Sequence, residues 1–402
     1  MAAEVDTVAE VPVAIVGAGP AGLMLAHLLG RAGVDTVAID TRTRLEIEST
    51  QRAGILEADA ARDLIETGVS DRILRDGDEH EGIEVRFGGR AHRIDFKELV
   101  GESVWLYPQT DVFIDLADAR ERDGGTVHFG ISGTEVLDIE TERPRVRWTA
   151  ADGSRHEVRA RYVVGADGSR SQCRDLVPAD RRVQHVKEYP YAWFGIMANA
   201  PKSAPELVYA HSEHGFALIS QRTDSVQRMY FQCDPTDDAD AWSDERIWET
   251  LQARVAGDDG FRLQEGPIFE KTVLRFRSFV QEPMRWGSML LAGDAAHTVP
   301  PTGARGLNLA IHDVTVLADV LLQALGSTDD QVLDDYQPRA LRRVWRAENF
   351  SYWMTQLLHP LPGGSSFDLW RQLGELDNVV STRAGRTYLA EQYTGWPTRE
   401  KE

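Results

Sequence analysis

The sequence predicts an α/β fold that begins with a β-α-β unit, continues in an α+β part built on a mixed sheet and ends in a helical region. A short apolar run, Val13–Val16, is followed by a glycine-rich turn and a helical pattern. Alternating apolar and polar stretches occupy the middle of the chain, and long apolar helical segments follow. The chain has 402 residues, of which 42% are hydrophobic. That length predicts roughly two or three domains.

Charge and composition exclude several classes of protein. The chain carries 44 basic and 64 acidic residues, a net charge of -20. Such a surface repels phosphate backbones and anionic lipids, so we expect no nucleic-acid or membrane partner. The two cysteines, Cys173 and Cys233, cannot form a disulfide framework, and no residue spacing suits a metal site. An acidic N-terminus without an export signal predicts a cytoplasmic protein.

The β-α-β unit carries the features of a Rossmann-like dinucleotide-binding turn. Gly17 allows a tight turn, Gly19 lets the backbone approach a pyrophosphate, and Gly22 lets helix and strand pack closely. The following helix offers unpaired N–H groups to phosphate. A second strand, Thr36–Ile39, ends at an acid suited to the adenosine ribose. The residues expected to bind the dinucleotide are Gly17, Gly19, Pro20, Ala21, Gly22 and Asp40.

The remaining elements follow from hydrophobic patterning. Short alternating stretches between Gly125 and Val164, among them Thr126–Phe129, predict antiparallel hairpins. Further strands are expected at 206–210, 216–220 and 228–232. A buried strand at 288–292 precedes a long apolar helix that begins near Gly303 and ends at Leu325. The last long helix carries an arginine cluster, expected to be a solvated face with a subunit contact as the alternative, at Arg339, Arg342, Arg343 and Arg346.

These patterns divide the chain into three parts. Residues 1–183 are expected to form the dinucleotide-binding domain, with 81–109 contributing to the substrate side. Residues 184–286 are expected to form a substrate-binding sheet domain. Residues 287–402 are expected to supply a strand and loop that contact the cofactor, followed by a helical interface region.

Three motifs together resemble the FAD-dependent aromatic hydroxylases: the turn 17–22, the stretch Gly165-Ala-Asp-Gly-Ser169, and Gly293-Asp-Ala-Ala-His297 with the segment Pro300–Asn308. The resemblance implies a glutathione-reductase-type FAD-binding fold, a bound FAD, and NADPH or NADH with O2 as cosubstrates. It also implies a homodimer. The coenzyme preference stays open within Thr41–Thr50. Further cofactor-binding residues implied by the resemblance are Arg52, Gln109, Asp167, Gly168, Asp294, Gly306, Leu307 and Asn308.

The resemblance extends to a site for a small aromatic acid. It implies hydroxylation of 4-hydroxybenzoate at position 3 to 3,4-dihydroxybenzoate, by way of a flavin C4a-hydroperoxide. Arg222 would bind the carboxylate through its planar guanidinium, while Ser220 and Tyr230 would donate hydrogen bonds. Ser220 and Arg222 stand two residues apart on a predicted strand, so both point to one face.

The resemblance also implies a route for the phenol proton. A free phenol has a pKa near 10, so at neutral pH the substrate needs help to ionise. Tyr209 would take the phenol hydrogen bond, Tyr393 would extend the chain, and His80 would pass the proton to solvent. The carbonyl of Pro301 would face the phenol.

Two other functions fit the same sequence. Another aromatic acid, such as 3-hydroxybenzoate or 3,4-dihydroxybenzoate, could be hydroxylated on the same frame. A flavin-bearing redox sensor or interaction protein is the alternative from a different class. The tyrosines and arginine expected at the acid site argue against it, because a binding module needs no proton route.

Overall fold

The computed structural model describes residues 6–50 and 54–396, so Arg52, expected to contact the cofactor, lies outside the described residues. The strands are β1 Thr7–Val16, β2 Thr36–Asp40, β3 Ile55–Glu57, β4 Asp78–His80, β5 Gly82–Phe87, β6 Arg90–Asp95, β7 Val104–Leu106, β8 Thr126–Phe129, β9 Ser132–Leu137, β10 Arg145–Thr149, β11 Arg155–Gly165, β12 Val183–Glu188, β13 Ala192–Asn199, β14 Leu207–Ser212, β15 Gly215–Thr223, β16 Val226–Cys233, β17 Ile268–Leu274, β18 Arg277–Glu282, β19 Arg285–Trp286, β20 Met289–Leu291 and β21 His297–Thr298. The α-helices are α1 Pro20–Arg31, α2 Arg44–Ser49, α3 Ala58–Glu66, α4 Ile73–Asp76, α5 Phe96–Val100, α6 Gln109–Arg122, α7 Asp244–Val255, α8 Gly306–Leu325, α9 Tyr336–Leu358, α10 Ser366–Ser381 and α11 Arg383–Thr394.

The first sheet contains the predicted β-α-β unit. Its strand order is β19-β20-β11-β1-β2-β8, and β10 and β9 extend it from β11. β1 runs parallel to both β11 and β2. The buried side chains of β1, β2 and β11 share one hydrophobic core with α1, α6 and α8. The carboxyl ends of these parallel strands therefore lie together at one edge of the sheet.

One strand of this sheet differs from the sequence-based prediction. Thr126–Phe129 does not form an antiparallel hairpin but pairs parallel with β2. β8 follows α6 along the chain. The connection between the parallel strands β2 and β8 therefore includes α6, a helix on one face of the sheet. The alternating pattern of a short edge strand is the same in either direction, which is why patterning alone gave the wrong partner.

The second sheet separates two cores. Its order is β17-β13-β16-β15-β14-β5-β6, so the segments Gly82–Phe87 and Arg90–Asp95 join the sheet formed by the middle of the chain. On one face Val208, Ala210 and Ile219 pack with α7. On the other, Tyr209 and Leu218 pack with the C-terminal helices. A small sheet of β12, β18 and β21 lies apart from it.

The C-terminal helices join the two sheets. The first half of α9 is buried in the core of the first sheet, and its second half is buried in the core beneath the second sheet. α8 begins at Gly306, not near Gly303, because a 3-10 turn occupies Pro301–Gly303 and Ala304 is left-handed, with φ 53°. By length and composition α8 could cross a membrane, but 72% of its apolar window is buried inside the protein, as in a core helix.

The contact of β1 with α1 depends on Gly22. A Cβ at Gly22 would lie 1.9 Å from the carbonyl oxygen of Gly17. Gly374, in the exposed part of α10, has nothing within 4 Å of such a Cβ. The two glycines are thus both helical and differ in the space around them.

We therefore expect Gly22→Ala to destabilise the protein by about 2 kcal/mol or more through overpacking. Gly374→Ala, the matched control, should leave stability unchanged or raise it by up to about 1 kcal/mol, because alanine favours a helix. Thermal unfolding of both variants measures the difference. Equal unfolding temperatures would contradict the tight contact.

Candidate active site

A cavity of about 740 Å³ opens at the carboxyl edge of the first sheet. Its volume is in the range of small-molecule and cofactor sites, and the edge where parallel strands end is where such sites form. The lining residues that the sequence predicts as cofactor-binding are Gly17, Gly19, Pro20, Ala21, Asp40, Gln109, Asp167, Gly168, Asp294, Gly306 and Leu307.

The turn after β1 is shaped for an anion. Gly17 has φ +105°, and a Cβ there would lie 2.2 Å from the carbonyl oxygen of Ala166. Gly19 precedes α1 without any side-chain cap, and Pro20 occupies the first turn. The first N–H groups of α1 therefore lack intrahelical acceptors. A Cβ on Gly19 would meet nothing within 4 Å, so the space beside this turn is open.

Two aspartates fix the strand ends beside the cavity. Asp40 is buried and accepts hydrogen bonds from the backbone N–H groups of Ala18 at 3.1 Å and Arg42 at 2.9 Å. The 43% exposed Arg42 side chain also donates to both oxygens, from Nε at 3.3 Å and from Nη2 at 3.5 Å, so a ribose hydroxyl at Asp40 would replace one of these contacts. The Asp167 carboxylate accepts from Ser171 Oγ at 2.5 Å and from the N–H of Gln172 at 2.8 Å. Asp167 thus shapes the loop that lines the cavity.

The far end of the cavity is formed by the start of α8. The N–H groups of its first turn, including that of Leu307, have no intrahelical acceptor. Asn308 is not among the cavity-lining residues. Its side chain accepts from the N–H of Glu57 at 3.0 Å and donates to the carbonyl of Ile55 at 2.8 Å. Any contact of Asn308 with a ligand therefore falls to its backbone.

A buried charge cluster, which sequence patterns did not predict, lies beside this turn. Glu57 accepts hydrogen bonds from Arg305 and, at 2.6 Å, from Arg343. All three side chains are buried. The expectation that Arg343 belongs to a solvated helix face is therefore wrong: it also donates to the carbonyl of Trp396 at 2.6 Å. Within the described residues, Nε and Nη2 of Arg305 are buried without a hydrogen-bond partner.

Three of the residues predicted to bind an aromatic acid share one face of the second sheet. Tyr209 is paired with Leu218, and Leu218 with Tyr230, so these side chains lie on the same side. Ser220 follows Leu218 by two residues and faces the same way. The register shifts between Gln221 and Thr223, so alternation does not set the direction of Arg222. Arg222 is nevertheless close to Arg228 and Tyr230, whose charges act on it. Ser220 Oγ donates to the carbonyl of the opposite residue at 2.7 Å.

Positive charge is concentrated on this face. Arg228 lies opposite Ser220, with its guanidinium carbon 5.3 Å from the ring centroid of Tyr230. Among the described residues, its Nη1 is buried and has no hydrogen-bond partner. Burial, and then the neighbouring Arg228, lower the pKa of Arg222. Two guanidinium groups that disfavour each other's charge suit an anion between or beside them.

Two buried tyrosines meet at the other end of the face. The hydroxyl oxygens of Tyr209 and Tyr393 lie 2.7 Å apart, and Tyr209 donates to the carbonyl of Thr302 at 3.3 Å. Burial raises the pKa of Tyr393 to about 12 and that of Tyr209 well above its ordinary value, so both stay protonated near neutral pH. The carbonyl of Pro301 accepts the N–H of Ala304 at 2.9 Å.

His80 lies at the end of β4, buried to 1% exposure. Its Nε2 is 3.0 Å from Nε2 of Gln221, and its Nδ1 is buried without a partner among the described residues. In that same part of the chain, no direct hydrogen bond joins His80 to Tyr393. Burial lowers the pKa of His80 below its ordinary value.

The chain is similar to several known proteins. The chain matches the family described as "FAD binding domain" over residues 10–351. It is 40% identical to the p-hydroxybenzoate hydroxylase of Acinetobacter baylyi over 386 residues, covering 96% of this chain and 95% of that protein. It is 29% identical over 335 residues to a 3-(3-hydroxy-phenyl)propionate/3-hydroxycinnamic acid hydroxylase of Burkholderia cenocepacia, covering 81% of this chain and 59% of that protein.

The fold is also that of a solved hydroxylase. The crystal structure of p-nitrophenol 4-monooxygenase from Pseudomonas putida aligns with a TM-score of 0.82, covering 97% of this chain and 99% of that one. At 20% sequence identity this likeness concerns the fold alone. The family match and the first relative confirm the expectation of a bound FAD.

The open space beside Gly19 gives a test of cofactor placement. Because a Cβ there meets no protein atom, we expect Gly19→Val to leave the unfolding temperature of the FAD-free protein nearly unchanged. If the FAD pyrophosphate occupies this space, the same variant should bind FAD at least about tenfold more weakly, a loss of about 1.4 kcal/mol. Titration of FAD-free protein with FAD measures the affinity. Wild-type affinity in the variant would exclude this position for the pyrophosphate.

Proposed function

The chain belongs to the FAD-dependent aromatic hydroxylases, and we propose that it hydroxylates 4-hydroxybenzoate at position 3 to give 3,4-dihydroxybenzoate. Enzymes of this class are monooxygenases that use NAD(P)H and O2 as cosubstrates. In the proposed reaction one oxygen atom enters the ring and the other leaves as water. NAD(P)H supplies two electrons and becomes NAD(P)⁺.

The cavity at the first sheet suits FAD by the chemistry of its donors. An uncapped helix start and open space at Gly19 fit a pyrophosphate, and Asp40 fits the adenosine ribose. The N–H groups at the start of α8 fit negative charge at the other end of the cofactor. When bound, FAD accepts electrons from the nicotinamide and, once reduced, activates oxygen for transfer to the ring.

The observation that carries the substrate assignment is the shared face of Tyr209, Ser220 and Tyr230, with Arg222 close to Tyr230. Arg222 lies four residues beyond the position that pairs with Tyr209, at most about 13 Å along the strand, and the register shift beside it shortens this distance. A benzoate with a para hydroxyl has an anionic group and a phenol at opposite ends. In the proposed complex Arg222 pairs with the carboxylate, and Tyr230 donates a hydrogen bond to it. Ser220 donates as well once its hydroxyl turns away from the Arg228 carbonyl. Tyr209 accepts the phenol proton.

The buried tyrosine pair supplies the first step of the proton route. Tyr209 and Tyr393 can each accept a proton and donate one, because each hydroxyl is both donor and acceptor. Their raised pKa values keep both tyrosines neutral, so the proton is transferred along them without leaving either tyrosine as a stable anion. His80 takes it toward solvent. Pro301, whose carbonyl is proposed to face the phenol, is half-buried. The carbonyl of the next residue in the same turn, Thr302, accepts a hydrogen bond from Tyr209.

The surroundings of Arg44 favour NADH as the electron donor, with NADPH the alternative. Arg44 pairs with Glu48 at 2.6 Å, with Glu121 at 3.1 Å and with Asp118. These three carboxylates leave the region around α2 negative. An NADPH 2′-phosphate approaching Arg44 would have to displace them.

We extend the proposal to the wider organisation of the enzyme. The parallel strands β20, β11, β1, β2 and β8, with β10 and β9 added antiparallel, support a glutathione-reductase-type FAD domain. The sheet formed by 184–286 together with β5 and β6 would carry the substrate, and 287–402 the cofactor loop and helices. We also propose a cytoplasmic homodimer. The net charge of -20 supports the absence of nucleic-acid and membrane partners.

Oxidation of NADH and NADPH by the FAD-loaded protein tests the proposal. We expect 4-hydroxybenzoate to stimulate NAD(P)H oxidation severalfold. Chromatography should identify 3,4-dihydroxybenzoate in an amount equal to the NAD(P)H oxidised. Stimulation only by 3-hydroxybenzoate or 3,4-dihydroxybenzoate would reassign the substrate. The absence of stimulation by any aromatic acid would favour a redox sensor instead.

Arg222 gives a sharper test of the acid site. We expect Arg222→Ala to weaken 4-hydroxybenzoate binding by roughly 2 to 4 kcal/mol, because a carboxylate would be buried without its cation. Arg222→Lys should lose part of this, since it keeps the charge and loses the planar fork. Thr223→Ala, at the exposed next position, is the control and should bind normally. Unchanged affinity in Arg222→Ala would remove Arg222 from the site.

A further inference from the structure

A group of polar side chains surrounds the outer side of His80. Asp78 lies on the same strand, and its Oδ2 is 3.6 Å from Nε2 of His80. Asp78 is 39% exposed, whereas His80 is buried. Lys202 donates to Asp78 Oδ2 at 2.7 Å, and Gln221 Nε2 lies 3.4 Å from the same oxygen. The group joins a buried imidazole to a carboxylate that reaches water.

Hydrogen bonding around Nε2 depends on the charge of His80. Gln221 donates toward Nε2 at 3.0 Å, so that nitrogen is an acceptor and the ring is neutral in this arrangement. When His80 is protonated, Nε2–H needs an acceptor. In the described part of the chain, Asp78 is the carboxylate within ion-pair distance of His80. Gln221 thus stabilises the neutral ring and Asp78 the protonated one.

We propose that Asp78 is a positioning residue of the proton route: it stabilises the protonated form of His80, so that the buried ring can take up the phenol proton and release it to solvent. The inference rests on the proposed function, in which His80 is the outer member of that route. Asp78 acts through His80 and does not touch the substrate.

The charges that face His80 set the direction of each effect. Burial lowers the pKa of His80, while the carboxylates of Asp78 and Glu206 raise it and the Lys202 ammonium lowers it. Removing Asp78's charge should therefore lower the pKa of His80 further, and removing Lys202's charge should raise it. Lys202 also contacts Asp224 at 3.4 Å, but Asp224 is 97% exposed.

Histidine NMR titration of the FAD-loaded protein measures this directly. The resonance lost in His80→Asn assigns His80. We expect its midpoint to move to lower pH by about half a unit or more in Asp78→Asn and to higher pH in Lys202→Met. Asp224→Asn, which alters the exposed end of the same ion pair, is the control and should leave the midpoint in place.

The kinetic readout is the ionisation of bound 4-hydroxybenzoate after a pH jump, followed by its absorbance. His80 accepts a proton only when neutral, so the rate should fall as pH drops through its pKa. In Asp78→Asn that fall should occur at lower pH, and for a half-unit shift the rate at neutral pH should be up to about threefold slower because His80 is a weaker base. Lys202→Met should move the fall to higher pH.

The two measurements separate the possible failures. An unmoved His80 midpoint in both Asp78→Asn and Lys202→Met would overturn the role of Asp78, whatever the substrate. Equal pH-jump rates in wild type and His80→Asn would show that His80 does not take up the phenol proton, and would therefore also overturn the role of Asp78 in the proton route. If the wild-type enzyme does not bind 4-hydroxybenzoate, the proposed substrate fails instead, and the NMR midpoints still decide whether Asp78 controls the charge of His80.

Discussion

The arrangement of the site depends on the buried ion pairs of Glu57 with Arg305 and Arg343. Removing an ion from water costs several kcal/mol, and pairing offsets this only with good geometry. Glu57 ends β3, Arg305 precedes α8, and Arg343 lies in α9. None of these segments can shift without leaving a charge unpaired in the interior. The cluster therefore fixes the start of α8, which lines the cofactor cavity, against the helix that crosses both cores.

That fixed junction connects the two halves of the site. The turn before α8 contributes the Thr302 carbonyl that engages Tyr209 of the second sheet. The Thr302 hydroxyl accepts from Thr355 of α9 at 2.8 Å. Arg305 also acts at a distance, because its positive charge opposes the burial that raises the pKa of Tyr209 and Tyr393. A single turn of chain thus joins the cofactor cavity, the tyrosine pair and the scaffold.

The features that the sequence predicted correctly are those set by residues close together in the chain. The glycines of 17–22 and the acid at Asp40 line one cavity, as their spacing predicts. The two-residue step holds from Leu218 to Ser220, but a register shift that the sequence does not reveal interrupts the strand at Arg222. Partners distant in sequence were not readable. Glu57 and Arg305 are 248 residues apart, and an apolar strand ending in an acid gives no sign of its counterion. For the same reason Arg343 looked solvated and Thr126–Phe129 was paired wrongly.

The protein and its proposed ligands carry net charges of the same sign. A chain of charge -20 should repel FAD, a nicotinamide coenzyme and a benzoate, all of which are anions. Surface carboxylates, however, are screened beyond about 8 Å at physiological salt, whereas a buried cation is screened much less. Arg228 is half-buried and Arg305 is fully buried, and each has at least one guanidinium nitrogen that is buried without a hydrogen-bond partner among the described residues, although Arg305 is also paired with Glu57. A poorly screened cation or a helix N–H group beside a bound anion would therefore attract it more strongly than surface carboxylates beyond the screening length repel it.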